Sequence, residues 1–216
     1  MQTVFQKTLK DTMYYNNIPV FIYQINYPCF MTTCSTISAV NINNHYIYNA
    51  KQTETYCRTV LYSQALDSAR YLQPASPFNS YTFDVDFEIT YNAGCFTSLY
   101  MDTSMYLGGA HGQTKRESDT WDFKTGNRLF LSDLCPNTPD YLSKLQTSII
   151  NQIRKRLQES PGSYFDDYET LLRDSFNPNS FYLIPNGFII YFQQYDIAPY
   201  VSGMPEFSFS LRLDHF

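Results

Sequence analysis

The sequence predicts an α+β fold in which mainly antiparallel sheets pack against two main helices. Three observations carry this prediction: stretches in which apolar and polar residues alternate, two long stretches with helical spacing, and an order along the chain of sheet, helix, sheet, helix, sheet. The 216 residues are 44% hydrophobic, which is enough apolar material for one large core or for two small packed units.

The first predicted element is a strand from Ile18 to Tyr27, opened at Pro19 and closed by Pro28. Residues 35–50 are ambiguous, because Val40, Ile42, Tyr46 and Tyr48 alternate as in a strand, whereas Ile37, Val40, Asn44 and Ile47 follow a helical stripe. Apolar residues at helical spacing then predict a helix from Glu54 to Leu72, which Pro74 and Pro77 end.

Residues 81–91 have the clearest strand pattern in the chain. One face carries Phe83, Val85, Phe87, Ile89 and Tyr91, and the other carries Asp84, Asp86 and Glu88. Three carboxylates on one face can serve an acid/base reaction or bind a hard cation, but this arrangement is more typical of a solvated strand face. We therefore expect a structural role for them.

The remaining elements follow from the same patterns. A return strand runs from Phe96 to Leu107, alternation resumes through Trp121 and Phe123, and after a turn at 125–127 the next strand continues through Leu129 and Leu131. Thr138 and Pro139 begin a second helix, with an apolar stripe of Leu142, Leu145, Ile149, Ile153 and Leu157. A short amphipathic segment at Tyr164–Leu172 precedes three strands at Phe181–Ile184, Phe188–Phe192 and Glu206–Leu213.

Charge and cysteine content exclude several classes of protein. The formal net charge is −5, and the basic residues are scattered apart from Arg154-Lys155-Arg156, so the chain lacks the electrostatic footprint of a nucleic-acid-binding protein. The five cysteines form no C-x-x-C pair and the three histidines are far apart in sequence, so we expect neither a metal nor a cofactor. Cys29 and Cys34 are close enough to close a small disulfide loop in an oxidising compartment, and an odd number of cysteines leaves at least one thiol free or intermolecular.

No membrane-spanning segment is expected in this sequence. It contains no run of 18 apolar residues, and no signal-peptide core follows Met1. From the residues alone, the protein is either cytosolic or has lost a leader before this numbering begins.

The most informative motif is Leu107-Gly108-Gly109-Ala110-His111-Gly112. Three glycines around one histidine indicate a backbone that turns tightly or lies against another chain, because residues without a Cβ do so at low cost. Gly108, Gly109 and His111 are therefore candidate ligand-binding residues. His111 can contact a ligand, act as a general base or make a structural hydrogen bond; the structural role is favoured, since no nucleophile motif accompanies it and no catalytic residue is predicted.

A second candidate site lies in Tyr195-Asp196-Ile197-Ala198-Pro199-Tyr200-Val201-Ser202-Gly203, an irregular loop before the last strand. Loops that combine tyrosines with one acid are plausible recognition surfaces, so Tyr195, Asp196 and Tyr200 are candidate binding residues. In the structural alternative, which we favour, Asp196 caps backbone amides and the tyrosines cover the core.

Four motifs, in this order, resemble a bacterial extracytoplasmic domain family of largely unknown function. They are Tyr81–Tyr91, the Gly-Gly-Ala-His-Gly run, Trp121-Asp122-Phe123-Lys124-Thr125-Gly126 with Leu131-Ser132-Asp133-Leu134, and the loop at 195–203. The family forms the outer part of the lysozyme-binding anti-sigma factor RsiV and the region that precedes the catalytic domain of a peptidoglycan deacetylase. The resemblance spans roughly residues 15–213.

The resemblance implies an α+β N-terminal half, residues 1–105, and a C-terminal half, residues 106–216, which carries both candidate sites. It favours a helix for residues 35–50, and it implies an extracytoplasmic or secreted protein. The function it implies is a non-catalytic cell-envelope binding or sensing module whose partner is a cationic muramidase (a lysozyme) or a peptidoglycan fragment. The alternatives are a cell-wall-active enzyme that uses His111 and a carboxylate such as Asp196, or an accessory domain of a polysaccharide deacetylase.

Overall fold

The computed structural model describes residues 1–71, 77–136 and 138–210, and it confirms the predicted α+β class. The strands are β1 Thr3–Tyr15, β2 Ile18–Met31, β3 Tyr81–Ala93, β4 Phe96–Tyr106, β5 Gln113–Asp122, β6 Asn127–Arg128, β7 Phe181–Ile184, β8 Gly187–Tyr191 and β9 Glu206–Ser210. The helices are α1 Thr36–Tyr56, α2 Tyr62–Arg70, α3 Tyr141–Glu159 and α4 Tyr168–Ser175. A π-helical segment, Cys57–Leu61, joins α1 to α2 without a break.

The strands form a six-stranded sheet in the order β1-β2-β3-β4-β5-β6 and a three-stranded sheet in the order β7-β8-β9. The pairs β1–β2, β5–β6, β7–β8 and β8–β9 are antiparallel, which agrees with the prediction. Strands β2 and β3 are parallel where Phe21–Ile25 faces Tyr81–Val85. A parallel pair requires a long crossover connection, and α1 and α2 lie in that connection.

The chain divides into two compact units that are not contiguous in sequence. The first comprises Met1–Glu88, Met101–Lys115 and Phe123–Gly126; the second comprises Ile89–Tyr100, Arg116–Asp122 and the chain from Asn127 onwards. The halves expected at 1–105 and 106–216 are contiguous, so the two divisions describe different things, and the division at residue 105 stays a prediction.

The ambiguous residues 35–50 are helical in the first unit. Ser35 caps α1, because its Oγ accepts a hydrogen bond from the Ser38 backbone N–H at 3.2 Å. The buried face of the helix is formed by Ser38, Ala39, Ile42, Tyr46 and Ala50, whereas Ile37, Val40 and Ile47 of the predicted stripe are exposed. The helical period was readable, but the stripe of larger residues lies on the solvent side.

Aromatic side chains fill the core of the first unit. Phe30 of β2 contacts Tyr46 of α1 at a ring-centroid distance of 5.9 Å and Phe123 edge-to-face at 5.2 Å. All three side chains are almost fully buried. Edge-to-face packing adds stabilisation beyond the burial of apolar area, so these rings fix the helix on the sheet.

Sequence patterns did not reveal β1. It pairs with β2 through a tight turn at Asn16 and Asn17, whose φ angles of 49° and 65° match the left-handed turns that join strands of right-handed twist. The strand also does not end at Pro28, which pairs with Gln6 of β1. Pairing with β3 stops at Ile25, so the missing N–H of Pro28 costs no hydrogen bond on that side.

A charged network joins the π-helical segment to the β1–β2 hairpin. The hydroxyl of the buried Tyr23 donates to Glu54 Oε1 at 3.0 Å, and Lys51 Nζ lies 2.8 Å from Glu54 Oε2. Arg58 reaches Asp11 of β1 at 2.8 Å and lies over the Tyr23 ring. The hydrogen bond from Lys51 is the main cause that lowers the pKa of Glu54, and burial raises the pKa of Tyr23 to about 12.

The second unit is built on its own apolar core, which packs α3 and α4 with the strands β7, β8 and β9. Its buried members include Leu145, Ile149, Ile150, Ile153, Leu172, Phe181, Leu183, Phe188, Ile190, Phe192 and Phe207. The second predicted helix is confirmed, but it begins at Tyr141 rather than at 138–139, and Leu142 is exposed. The short amphipathic segment forms α4 four residues later than its predicted start, and part of the predicted last strand, residues 211–213, lies outside the described residues.

The predicted strand through Leu129 and Leu131 is wrong. Strand β6 has only two residues, and Leu131–Leu134 forms a 3₁₀ turn that buries Leu131 and Leu134. Asp133 holds this turn, because its Oδ2 accepts from the Phe130 backbone N–H at 2.7 Å. Two leucines at a spacing of two fit a strand, and this side-chain cap overrides that local pattern.

The disulfide between Cys29 and Cys34, which their spacing allows, does not form. Cys29, Cys57 and Cys135 are free, whereas Cys34 and Cys95 are disulfide-bonded. Cys29 lies within β2, whose rise of about 3.3 Å per residue carries the chain away from it before Cys34 is reached. Disulfide-bonded cysteines are typical of oxidising compartments.

None of the helices in the described residues is long and apolar enough to cross a membrane.

Substitution Glu54→Gln is expected to destabilise the first unit by about 1 kcal/mol at neutral pH. The reason is that Lys51 and Arg58 lose their ion pairs with the carboxylate. A carboxyl whose pKa is lowered by folding stabilises the fold above its ordinary pKa, and this contribution is lost as the pH falls through the lowered value. When denaturant unfolding is measured from pH 7 to pH 3, the free energies of unfolding of the variant and the wild type should therefore converge as the pH falls. The control is Asp67→Asn, an exposed partner of Arg70, which should change stability little. Equal stability of Glu54→Gln and wild type at pH 7 would contradict this.

Cysteine alkylation tests the disulfide assignment. In the denatured, unreduced protein Cys29, Cys57 and Cys135 should be labelled, and Cys34 and Cys95 should be protected until a reductant is added. In the native protein Cys57 should resist labelling, because it is fully buried and burial raises the pKa of its thiol to about 12. Peptide mapping by mass spectrometry reads both results. A linked Cys29–Cys34 peptide would contradict the assignment.

Candidate functional site

Residues 107–112, the glycine loop, connect β4 to β5 in the first unit. Gly108 and Gly109 have φ angles of 83° and 103°, values that side chains with a Cβ rarely adopt. A Cβ on Gly108 would lie 3.2 Å from the ring of Tyr81, whose hydroxyl shares a hydrogen bond of 2.8 Å with Ser68 of α2. The glycines are thus required by a tight turn that rests on an anchored tyrosine.

His111 is exposed on the glycine loop. Its Nδ1 lies 2.9 Å from the carbonyl oxygen of Gly112, and because a carbonyl only accepts, Nδ1 carries the hydrogen. The Tyr106 hydroxyl donates to the Gly109 carbonyl at 3.2 Å. These hydrogen bonds close the turn on itself, so the contacts of His111 with its neighbour serve the loop's own geometry.

The second candidate site is a loop that closes at its base, residues 193–205, which we call the motif loop. The backbone N–H of Phe192 donates to the Pro205 carbonyl at 2.9 Å, so the two ends of the loop are held together. Compact loops whose ends meet in this way are frequently functional. Ile197 and Ala198 are fully buried in the middle of the loop and anchor it in the core.

Asp196 shapes the start of the motif loop. Its Oδ2 accepts from the Gln193 backbone N–H at 2.8 Å, and its own N–H donates to the Gln193 carbonyl at 3.2 Å. Burial raises the pKa of the Asp196 carboxyl, and the hydrogen bond from Gln193 opposes that rise. The carboxylate therefore caps a turn, which is the structural role favoured by the sequence.

Tyr195 and Tyr200 lie on the solvent side of the motif loop. Their exposed fractions are 52% and 37%, the neighbouring Val201 is 91% exposed, and the two tyrosine rings contact each other at a centroid distance of 5.7 Å. Tyr195 adopts φ of 68°, so the backbone is held in an uncommon conformation that turns this residue outward. The expectation that both tyrosines cover the core does not fit these exposures.

Sequence reasoning missed the residues that fix the motif loop. The Gln193 side chain accepts from the Arg116 backbone N–H at 2.9 Å and donates to the Arg116 carbonyl at 2.7 Å, as a neighbouring strand would. The guanidinium of Arg116 is buried, lies 3.6 Å from the centroid of the Tyr100 ring and forms an ion pair with Glu206. Nothing in the sequence around Arg116 marks it as the buried arginine.

A groove of about 480 Å³ lies between the end of the motif loop and the chain at the end of α3, and we call it the serine groove. It is lined by Arg156, Glu159, Ser160, Ser163, Tyr164, Ser202, Met204, Pro205 and Glu206. Ser202 Oγ donates to the Ser163 carbonyl at 2.9 Å, and Ser163 Oγ donates to the Ser160 carbonyl at 2.8 Å. No signal in the sequence marks these lining residues as a site.

The structure groups the six candidate residues into two sets. Gly108, Gly109 and His111 share the glycine loop of the first unit, and Tyr195, Asp196 and Tyr200 share the motif loop of the second. Within the described residues no group of three His, Cys, Asp or Glu side chains is arranged to hold a metal. Of the acidic face of β3, Asp86 accepts from Asn26 at 2.7 Å and Asp84 is half-buried, so these carboxylates are partly engaged in the sheet.

The fold is shared with solved structures of bacterial proteins. A crystal structure of a DUF3298 family member from Bacteroides fragilis superposes with a TM-score of 0.71 at 19% identity, covering 97% of this chain and 90% of the other. A DUF3298 family protein from Pseudomonas aeruginosa gives a TM-score of 0.62 at 16% identity, covering 96% and 91%. The architecture is therefore that of the DUF3298 proteins.

Two family models each match a part of the chain. Residues 132–212 match the family described as a protein of unknown function, DUF3298, and residues 15–114 match the family described as Deacetylase PdaC. These matches confirm the resemblance drawn from the motifs to a family of unknown function and to a region of a peptidoglycan deacetylase. It is 28% identical over 120 residues to the peptidoglycan-N-acetylmuramic acid deacetylase PdaC of Bacillus subtilis, a match that covers 53% of this chain and 24% of that enzyme.

Substitution Gly108→Val is expected to cost about 1 to 3 kcal/mol of stability, because it places a β-branched residue at positive φ and presses its Cβ on Tyr81. The matched control is Ala110→Val, which adds the same bulk at an exposed position of the glycine loop and should be nearly neutral. Thermal unfolding of the two variants and the wild type measures the difference. An unchanged melting temperature for Gly108→Val would contradict the strained-turn interpretation.

Proposed function

We propose that the chain is a non-catalytic, cell-wall-associated recognition module that works outside the cytoplasm. Its similarity to a segment of a peptidoglycan deacetylase supports this, and its disulfide-bonded cysteines fit an oxidising compartment. The observation that carries the proposal is the motif loop: a loop pinned at its base and middle that presents two tyrosines to solvent. Tyrosine supplies large contact area with few rotatable bonds and is enriched at protein interfaces.

The partner we propose is a cationic muramidase. The chain carries a net charge of −5, which favours association with a basic protein and speeds their encounter. A rigid loop loses little conformational freedom on binding, so a small number of contacts from it can give useful affinity. In this proposal Tyr195 and Tyr200 form the centre of the contact, and Asp196 acts through the loop that it caps.

Calorimetric titration with a cationic muramidase tests the proposal. Saturable binding is expected, and it should weaken several-fold between about 20 mM and about 150 mM salt because the attraction is screened. The double substitution Tyr195→Ala and Tyr200→Ala should lower the affinity by about tenfold or more. The matched control is Tyr48→Ala, which removes an exposed tyrosine from α1 and should leave the affinity unchanged.

Two results would contradict this proposal. The first is an absence of saturable binding at either salt concentration. The second is equal loss of affinity in the Tyr48 variant and in the double variant, since that would indicate contact through tyrosines in general rather than through the motif loop. Circular dichroism of each variant shows that its fold is intact.

A further inference from the structure

We propose that the serine groove is a saccharide-binding site, and that its ligand is an oligomer of N-acetylated hexosamine. The inference rests on the proposed cell-wall function and names a ligand class for the module. The groove uses Ser202, Met204 and Pro205 of the motif loop, whereas the proposed muramidase contact uses Tyr195 and Tyr200. The two sites can therefore be tested separately.

The guanidinium of Arg156 is the pre-oriented polar group of the groove. Its Nη1 donates to the Tyr164 hydroxyl at 2.9 Å, its Nη2 donates to the Glu206 carbonyl at 2.8 Å, and it lies 4.6 Å from the centroid of the Phe207 ring. In the described part of the chain it forms an ion pair with no carboxylate. A guanidinium has five N–H donors in a fixed plane, so Arg156 retains donors for hydroxyl and amide oxygens of a ligand.

The other polar groups of the groove complement those donors. Glu159 and Ser160 are exposed at the end of α3, where a carboxylate can accept hydrogen bonds from sugar hydroxyls. Ser163 and Ser202 use their hydroxyl hydrogens on backbone carbonyls, which leaves their oxygens as acceptors. Met204, which is half-buried, adds apolar surface against which the C–H face of a sugar ring can pack.

The charge of the groove favours an uncharged ligand. Arg156 and Glu159 cancel formally, and Glu206 is already paired with the buried Arg116. A neutral lining gives no attraction for a polyanion or a polycation, whereas it suits a ligand that is polar throughout and carries many donors and acceptors. A volume of about 480 Å³ lies within the usual range of about 300–1,000 Å³ for small-ligand sites.

Titration of the full chain with tetra-N-acetylchitotetraose tests the site, with cellotetraose as the same sugar backbone without acetamido groups. The wild type should bind the first saturably and the second at least fivefold more weakly.

Ser160→Trp, which fills the groove from an exposed position, should weaken binding by tenfold or more. Glu159→Gln, which replaces a charged acceptor, should weaken it by about fivefold. The control Ser143→Trp places the same ring on an exposed position near the start of α3, about 25 Å along the helix, and should have no effect.

The outcomes separate the groove from the proposed function. Absence of saturable tetra-N-acetylchitotetraose binding, or equal binding by wild type and Ser160→Trp, would overturn the groove even if muramidase binding is retained. Equal affinity for cellotetraose would overturn the assignment of an N-acetylated ligand. Ser160→Trp should still bind muramidase, and the double tyrosine variant should still bind the saccharide. If the wild type binds the saccharide but no muramidase, the proposed partner is overturned and the groove is supported.

Discussion

The buried guanidinium of Arg116 is the constraint on which the second unit depends. Burial of a charge is costly unless it is paired and hydrogen-bonded, and Arg116 meets this condition through Glu206 and the face of Tyr100. Its backbone is held at the same time by the side chain of Gln193. Gln193 begins the motif loop and Glu206 directly follows it, so Arg116 of β5 holds both ends of the loop.

This arrangement explains why an irregular segment can present defined surfaces. The motif loop contributes little regular hydrogen bonding of its own, but its base is closed between Phe192 and Pro205 and its middle is buried at Ile197 and Ala198. Tyr195, Tyr200 and Ser202 of this loop are exposed, and Ser202 and Met204 line the serine groove. A scaffold that orders a loop before binding reduces the entropy that binding must overcome.

The parts of the fold that were predictable are those where one local signal dominates. The helix around Ala65, the strand at 81–91 and the turn at Gly108 were readable because spacing, alternation and missing Cβ atoms each leave a trace in the sequence. Strand β1 leaves no such trace, since most of its side chains are exposed or half-buried and its residues hardly alternate. Its best signal was the Asn16-Asn17 pair, which favours positive φ but also occurs in ordinary loops.

The candidate sites divide in the same way. The motifs located both loops, because glycines, tyrosines and proline are visible in the sequence, but the residues that hold and line the motif loop come from distant segments. Arg116 and Gln193 are 77 positions apart, and Arg156 and Glu206 are 50 positions apart. Their roles arise from long-range packing, and the sequence offers no feature that distinguishes these two arginines from the exposed ones.

His111 and Asp196 are the titratable candidate residues, and each makes a hydrogen bond within its own loop. Asp196 accepts from the Gln193 N–H through Oδ2, and His111 donates through Nδ1 to the Gly112 carbonyl in a solvent-exposed turn. Asp196 belongs to the second unit, and His111 belongs to the first. Both residues therefore contribute to the conformation of their own loops, and the second unit also offers two exposed tyrosine rings and a hydrogen-bonding groove.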